Sequence, residues 1–148
     1  MGVSISVQMQ DFDAGQEIEA LGAEGENVGA VASFVGLVRG EGDAIKSMRL
    51  EHYPGMTEKA LEEIAASALQ RWSLLGIRII HRIGHLRPGD RIVLVVVSSK
   101  HRGDAFAACE FIMDYLKTRA PFWKKEASPE GERWVEARDS DDDFAARW

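Results

Sequence analysis

The sequence is poor in the residues that form cross-links and metal sites, since it has one cysteine among 148 residues. A single cysteine excludes an internal disulfide, and there is no CxxC pair or Cys/His cluster of the kind that binds zinc or carries redox chemistry. The four histidines, at positions 52, 81, 85 and 101, lack metal-ligand spacing. We therefore expect no metal site and no resident cofactor.

The sequence also lacks long apolar runs and an excess of positive charge. No run approaches the roughly 18 apolar residues of a membrane span, and the first ten residues lack the pattern of a signal peptide. These absences predict a cytoplasmic protein without membrane attachment. The formal charge of −6 argues against non-specific binding of nucleic acid, which needs a basic surface. Any anion must then be bound by a local group of cations.

The residues that are present are typical of a globular chain, with 45% hydrophobic and 28% charged positions. This length fits one domain spanning residues 1–148, and apolar periodicity predicts a mixed α/β fold. Strands are predicted at residues 3–9, 28–38, 45–53, 77–83, 91–99 and 133–138, and helices at residues 13–21, 57–74 and 104–119. The acidic run at 139–143 is a solvated loop or a helix start.

Turn and cap residues add detail to this prediction. The glycine-rich turn after residue 38 predicts a hairpin between the strands at 28–38 and 45–53. The strands at 77–83 and 91–99 form a second predicted pair across a Pro-Gly turn. Asp13, Thr57 and Asp104 are the predicted N-caps of the three helices, and Phe106 is assigned to the buried stripe of the third.

Residues 114–126, with the sequence DYLKTRAPFWKKE, place four cations within nine residues of an acidic chain. An apolar helix leads into this segment, and Pro121 removes a backbone donor while disfavouring helical geometry at Ala120. The helix is therefore predicted to end at residue 118 or 119, with an extended segment beginning at residue 122. Lysines and arginines then surround one chain reversal.

Two interpretations of these cations are open from the residues alone. Lys117 and Arg119 are in the last turn of the helix, where positive side chains commonly complement the helix dipole. The alternative is an anion site, because crowded cations hold a positive potential that a small anion relieves. The apolar residues around the cations, including Phe122 and Trp123, favour the second interpretation.

Two other junctions carry polar residues that are candidates for ligand contact. Arg39 stands at the exit of the strand at 28–38, near a predicted loop tip where an exposed charge is common. Residues 98–102 lie between the central strand and the next helix, whose free backbone donors attract anions. His101 in this segment is more often a local hydrogen-bonding residue than a catalyst. Cys109 lies on the apolar face of its helix, which favours a small buried side chain over a nucleophile.

Several long motifs are similar to those of one protein family. They are FVGLVR at 34–39, LEHYPGMTEKAL at 50–61, HRIG at 81–84, PGD at 88–90, SKHR at 99–102, FIMDYLKTRAPFWKKE at 111–126 and RWVEAR at 133–138. Over nearly its whole length the chain resembles the large, catalytic subunits of molybdopterin synthase. The resemblance implies an α/β hammerhead-type fold, an α+β arrangement with antiparallel sheet elements and packed helices.

The same resemblance implies a reaction and its partners. The expected enzyme is a sulfurtransferase of molybdenum cofactor biosynthesis that converts cyclic pyranopterin monophosphate to molybdopterin. The sulfur comes from a small ubiquitin-like subunit with a C-terminal Gly-Gly thiocarboxylate, and the large subunit is a homodimer within a heterotetramer. The alternative is a non-enzymatic module that binds a phosphate ligand or a partner and does not turn over.

The resemblance also implies roles for individual residues. Lys117 matches the family's essential lysine and Lys124 its second active-site lysine. With these roles the two lysines are expected to face one pocket from two sides, with the aromatic residues 122 and 123 as its walls, and Arg119 is expected to be structural. The implied substrate-binding positions are these two lysines together with Leu37, Val38, Arg39, His101, Arg102, Lys125, Glu126 and Arg138. The family pocket is built from two protomers, so His101 and Arg102 are candidates to serve it across the dimer interface.

Overall fold

The computed structural model describes residues 2–42, 45–135 and 139–148 of the chain. Its helices are α1 (Ala14–Gly22), α2 (Met56–Arg71), α3 (Arg102–Arg119) and α4 (Asp139–Ala146). Its strands are β1 (Val3–Gln8), β2 (Ala30–Leu37), β3 (Ser47–His52), β4 (Leu74–Arg82), β5 (Gly84–Leu86), β6 (Arg91–Ser99), β7 (Phe122–Ser128) and β8 (Gly131–Val135). Within these residues no helix is both long and apolar enough to cross a membrane.

The first sheet has the strand order β1-β4-β6-β2 and forms the centre of the molecule. β1 is parallel to β4, whereas β4 and β2 flank β6 in antiparallel pairing. β6 is buried from Val93 to Ser99, as expected for a nearly continuous apolar strand covered on both faces. Helices α2 and α3 pack on one face, and α1 packs on the other.

The second sheet has the order β5-β3-β7-β8 and buries one face only. Met48 and Leu50 of β3 are buried, whereas the alternate residues Arg49 and Glu51 are exposed. Together with Val38 and Leu86 the two apolar residues form a small core. Because successive side chains of a strand point to opposite faces, one face of β3 packs against the rest of the protein and the other is in solvent.

The mixed α/β architecture is confirmed, and so are several boundaries. Asp13 caps α1, since its carboxylate accepts a hydrogen bond from the Gln16 N–H at 3.1 Å. β6 spans residues 91–99 and pairs with β4, and α3 ends at Arg119 before Pro121, as predicted. The acidic run at 139–143 is the start of a helix. The predicted strand at 133–138 is β8 as far as Val135, and residues 136–138 lie outside the described residues.

The predicted hairpin between the strands at 28–38 and 45–53 is wrong. β2 pairs with β6, and β3 pairs with β5 and β7 in the other sheet. The chain after β2 is held by the Pro-Gly turn instead, because the Val38 N–H donates to the Asp90 carbonyl and the Gly89 N–H to the Val38 carbonyl, both at 2.9 Å. These two bonds direct the chain away from β2 and towards the second sheet.

Two helix starts and one apolar position also differ from the prediction. α2 has Gly55 as its N-cap, at φ 84°, where glycine is favoured over other residues. α3 begins at Arg102 after His101, and the Asp104 carboxylate accepts from the Ser73 N–H at 3.3 Å. Phe106 is 67% exposed, because α3 turns Ala105, Ala108, Cys109, Ile112 and Leu116 towards the core.

Candidate functional site

Helix α3 carries Lys117 back along the first sheet. The helix starts just after β6 ends, and its midpoint lies against the strand, where the Cys109 Sγ is 4.0 Å from the Val95 carbonyl oxygen. The C-terminal end of α3 therefore lies at the end of the sheet where β6 begins and β2 stops. Leu37 pairs with Arg91 at that end. Lys117 and the residues after Leu37 thus come from different elements to the same side of the molecule.

His81 and Phe122 form the wall beside Lys117. The His81 ring stacks on Phe122, with centroids 3.8 Å apart and ring planes inclined by 18°. Lys117 is exposed, but it lies close enough to His81 that its charge lowers the pKa of the imidazole. His52 acts on His81 in the same sense, and it pairs with Phe122 across β3 and β7. The last turn of α3, the end of β4 and the start of β7 therefore meet here.

The His81 imidazole is buried and carries no charge. Its pKa is lowered to about 3, first by burial and then by the charges of Lys117 and His52, while the hydrogen bond to the Arg82 carbonyl opposes this change. The Nδ1 atom is 2.8 Å from the Arg82 carbonyl oxygen, so Nδ1 carries the proton and donates it. A ring that stays neutral at physiological pH adds no charge to the site.

Lys124 and Glu126 lie on the inner face of β7. They pair with the buried residues Leu50 and Met48, and paired residues project from the same face of a sheet. Phe122 shares this face because it is two residues before Lys124. The Lys124 Nζ atom is 3.5 Å from the Glu126 Oε1 atom, and the Glu126 side chain is only 13% exposed. The second lysine therefore stands on the same side of β7 as the His81–Phe122 wall.

Lys125 and Trp123 point the other way. The Lys125 Nζ atom is 3.1 Å from the Glu132 carboxylate and 5.5 Å from the centroid of Trp134. Trp123 is 47% exposed and contacts Tyr53 on the outer surface. Of the two predicted aromatic walls, Phe122 faces the lysines and Trp123 does not. Lys125 is likewise on the face opposite Lys124.

Arg39 approaches from the end of β2. Val38 is buried against Met48, Leu50 and Leu86, and so fixes the chain beside the strand that pairs with Lys124. The Arg39 side chain is 65% exposed, as predicted, and its Nη2 atom is 3.3 Å from the Glu41 carboxylate. Leu37 is also exposed. Arg39 therefore lies beside the second sheet with its guanidinium in solvent.

His101 and Arg102 lie at the opposite end of the first sheet, just after β6 ends. β6 separates them from Arg39 by eight steps of about 3.3 Å, roughly 26 Å in all. Along α3, Arg102 is 15 residues before Lys117, or about 22 Å at the helical rise. One copy of the chain therefore does not bring these residues to the lysines. Arg138, the remaining predicted site residue, lies outside the described residues.

The arrangement suits an anion better than a metal ion. Residues 2–42, 45–135 and 139–148 contain no group of three or more His, Cys, Asp or Glu side chains placed to hold a metal. Arg39, Lys117 and Lys124 instead come from three elements to one side of the fold. Sequence reasoning missed His81, whose only signal was a polar residue inside the apolar strand β4. Its partner Phe122 is 41 residues away, and only the tertiary structure brings the two rings together.

Comparisons with known proteins show which family the chain belongs to. The family model for the MoaE protein matches residues 7–119. The molybdopterin synthase catalytic subunit of Ralstonia nicotianae is 60% identical over 147 residues, which are 98% of this chain and 84% of that protein.

Solved structures give the same result. The molybdopterin biosynthesis MoaE protein of Burkholderia ambifaria superposes with a TM-score of 0.86 at 57% identity, covering 99% of this chain and 97% of that one. A protein–protein complex of subunits 1 and 2 of the Helicobacter pylori molybdopterin-converting factor contains a chain of the same fold, with a TM-score of 0.76 at 24% identity and coverage of 90% and 91%. The chain belongs to the MoaE family of molybdopterin synthase catalytic subunits.

Proposed function

We propose that this chain transfers sulfur to cyclic pyranopterin monophosphate, which it converts to molybdopterin. The observation that carries the proposal is the convergence of Lys117 from α3 and Lys124 from β7 on one side of the fold, beside the neutral His81–Phe122 wall. Two lysines and an arginine brought to one side of the fold supply positive potential for the cyclic phosphate and for negative charge that develops in the reaction.

Each cation has a role that fits its chemistry. Arg39 is exposed and carries a planar guanidinium, so it can pair with two oxygens of the cyclic phosphate. Lys117 orients the acyl group of the sulfur donor or transfers a proton, and Lys124 stabilises negative charge as the thiocarboxylate attacks the pterin side chain. Glu126 holds Lys124 from the same face of β7.

The sulfur must come from another molecule. Cys109 is the one cysteine, and its side chain is buried against β6. Burial raises the pKa of its thiol to about 12, so almost none of it is thiolate at neutral pH. We therefore assign the sulfur to a small ubiquitin-like subunit with a C-terminal Gly-Gly thiocarboxylate. The two-subunit complex from Helicobacter pylori supports such a partner, and the exposure of Lys117 leaves a way in for an extended tail.

A second copy of this chain supplies His101 and Arg102 in this proposal. β2 is the last strand of the first sheet, and Phe34 on it and Phe106 on α3 are 42% and 67% exposed. A two-fold axis that sets two β2 edges antiparallel brings the Ala30 end of one copy to the Leu37 end of the other. Ala30 pairs with Ser99, two residues before His101. His101 and Arg102 of each copy then reach Arg39 of the other copy. The resulting homodimer binds two small subunits and so forms a heterotetramer.

Reconstitution tests this proposal directly. The purified chain is mixed with thiocarboxylated small subunit and cyclic pyranopterin monophosphate, and molybdopterin is measured. Lys117→Ala is expected to lower the rate about 100-fold or more, the usual scale for a residue that acts on the reacting groups. Lys59→Ala is the matched control, because Lys59 is an exposed lysine of α2 outside the site. Precursor binding without sulfurated product would instead support the non-enzymatic binding module.

A further inference from the structure

Thr57 joins helix α2 to the reversal between the two active-site lysines. Its side chain is fully buried, and its Oγ1 atom donates a hydrogen bond to the Pro121 carbonyl oxygen at 2.9 Å. The Thr57 Oγ1 atom also accepts a hydrogen bond from the Tyr53 N–H at 3.0 Å. One hydroxyl therefore satisfies a donor just before its own helix and an acceptor that lies 64 residues after Thr57 in the chain.

The reversal held by Thr57 is fixed at adjacent residues by two further contacts. Pro121 has no N–H, so its carbonyl is the backbone polar group through which that residue can be anchored. The Phe122 N–H donates to the Ala120 carbonyl at 2.9 Å, which makes the turn tight. The next side chain, Phe122, is clamped by the His81 ring at 3.8 Å. Thr57 and His81 thus fix adjacent residues of the turn from two different elements.

We propose that Thr57 is a positioning residue that sets the separation and relative direction of Lys117 and Lys124. This inference rests on the proposed sulfur transfer. Lys117 precedes Pro121 by four residues and Lys124 follows it by three, so a movement of the Pro121 carbonyl moves one lysine relative to the other. A displacement of about 1 Å in a catalytic group can cost up to 100-fold in rate. Arg39 is held through the burial of Val38 rather than through Pro121, so binding of the phosphate is expected to be less sensitive.

Two substitutions separate positioning from simple support of the fold. Thr57→Val keeps the shape but removes the hydroxyl, whereas Thr57→Ser keeps the hydroxyl and removes the methyl group. For molybdopterin formation we expect Thr57→Val to lower kcat about 10-fold or more with KM for the precursor within about threefold. Thr57→Ser is expected to retain kcat within about threefold, although it leaves the larger cavity. Circular dichroism at the assay temperature verifies that each variant is folded.

Equal kcat values for the Ser and Val variants would overturn the positioning role. If Thr57→Val does not fold, Thr57→Cys, a weaker hydrogen-bond donor, replaces it and is expected to give an intermediate kcat. If the unsubstituted protein makes no product, the proposed function fails. The positioning role is then decided by NMR of the ¹³C-methylated lysines, where Thr57→Val should shift the Lys117 and Lys124 signals and Thr57→Ser should leave them in place. Unchanged signals in Thr57→Val would overturn it.

Discussion

The imidazole of His81 lies nearly parallel to the phenyl ring of Phe122, and the centroids are 3.8 Å apart. This contact joins β4 of the first sheet to β7 of the second, next to the last turn of α3. Because the His81 ring is buried, uncharged and close to the cationic Lys117, protonation would place a positive charge in a buried position beside another cation. The contact that shapes the site therefore makes the fold sensitive to acid.

The first prediction is that His81 makes the protein less stable as the pH falls from 7 to 5. The pKa of His81 is about 3 in the folded chain against an ordinary value of 6.5, so the unfolded chain takes up a proton that the folded chain excludes. Its contribution is complete above pH 6.5 and is lost towards pH 3. Between pH 7 and pH 5 the free energy of unfolding should fall by about 2 kcal/mol from this group. Urea unfolding at the two pH values measures it.

Two comparisons isolate the His81 effect. His81→Phe should remove most of this pH dependence, whereas His85→Gln, which replaces an exposed histidine, should keep it. Asp11 affects the stability only at lower pH, because its pKa is lowered from 3.8 to about 2, chiefly by the hydrogen bond from Arg91. The same slope in His81→Phe and the unsubstituted protein would show that other groups cause the loss.

The second prediction concerns Cys109. Its thiol is 7% exposed and its pKa is raised to about 12, chiefly by burial, so native protein should react with iodoacetamide at pH 8 far more slowly than urea-unfolded protein. Mass spectrometry of the alkylated peptide measures both rates. Cys109→Ala should also keep molybdopterin formation, because the partner delivers the sulfur in the proposed reaction. Loss of product in a folded Cys109→Ala protein would place this sulfur in the reaction.

The local sequence was sufficient to predict features that depend on a single strand or helix. The buried run of β6 and the proline after α3 predicted their boundaries correctly, and the prediction of a buried Cys109 followed from helical periodicity. The hairpin after β2 was predicted wrongly, because local turn residues do not show that Val38 bonds to the Pro-Gly turn. Lys124 and Lys125 are neighbouring lysines, so the local sequence does not distinguish them. Only the pairing of β7 with β3 shows that Lys124 faces inward.

The third prediction concerns Trp148, which follows α4 and packs against α3 and the C-terminal end of α2. Its ring packs edge-on against Trp72 and Phe111 at centroid distances of 5.6 and 5.7 Å, and its Nε1–H donates to the Asp114 carboxylate. Trp148→Ala should lower the free energy of unfolding by about 3 kcal/mol, measured by urea denaturation. Phe144→Ala is the matched aromatic control, since Phe144 is 50% exposed, and should change it by less than about 1 kcal/mol. Equal losses would contradict the anchoring role.

The fourth prediction tests whether the site is shared between two copies of the chain. Lys117→Ala and Arg102→Ala proteins should each be nearly inactive, since each removes a cation from both sites of its own dimer. When the two are mixed and allowed to exchange subunits, each mixed dimer has one site with both defects and one intact site. Random exchange makes about half of the dimers mixed, so about a quarter of the unsubstituted activity should return.

A second pair of variants makes this test specific. Lys117 and Lys124 are brought together within one chain, so a mixture of Lys117→Ala with Lys124→Ala leaves one defect in every site and should recover no activity. Analytical ultracentrifugation of the mixtures verifies that dimers are present. Recovery in the first mixture alone requires that Arg102 act on the lysines of the other copy, which is what its separation of about 22 Å from Lys117 along α3 implies. No recovery in either mixture would confine the site to a single chain.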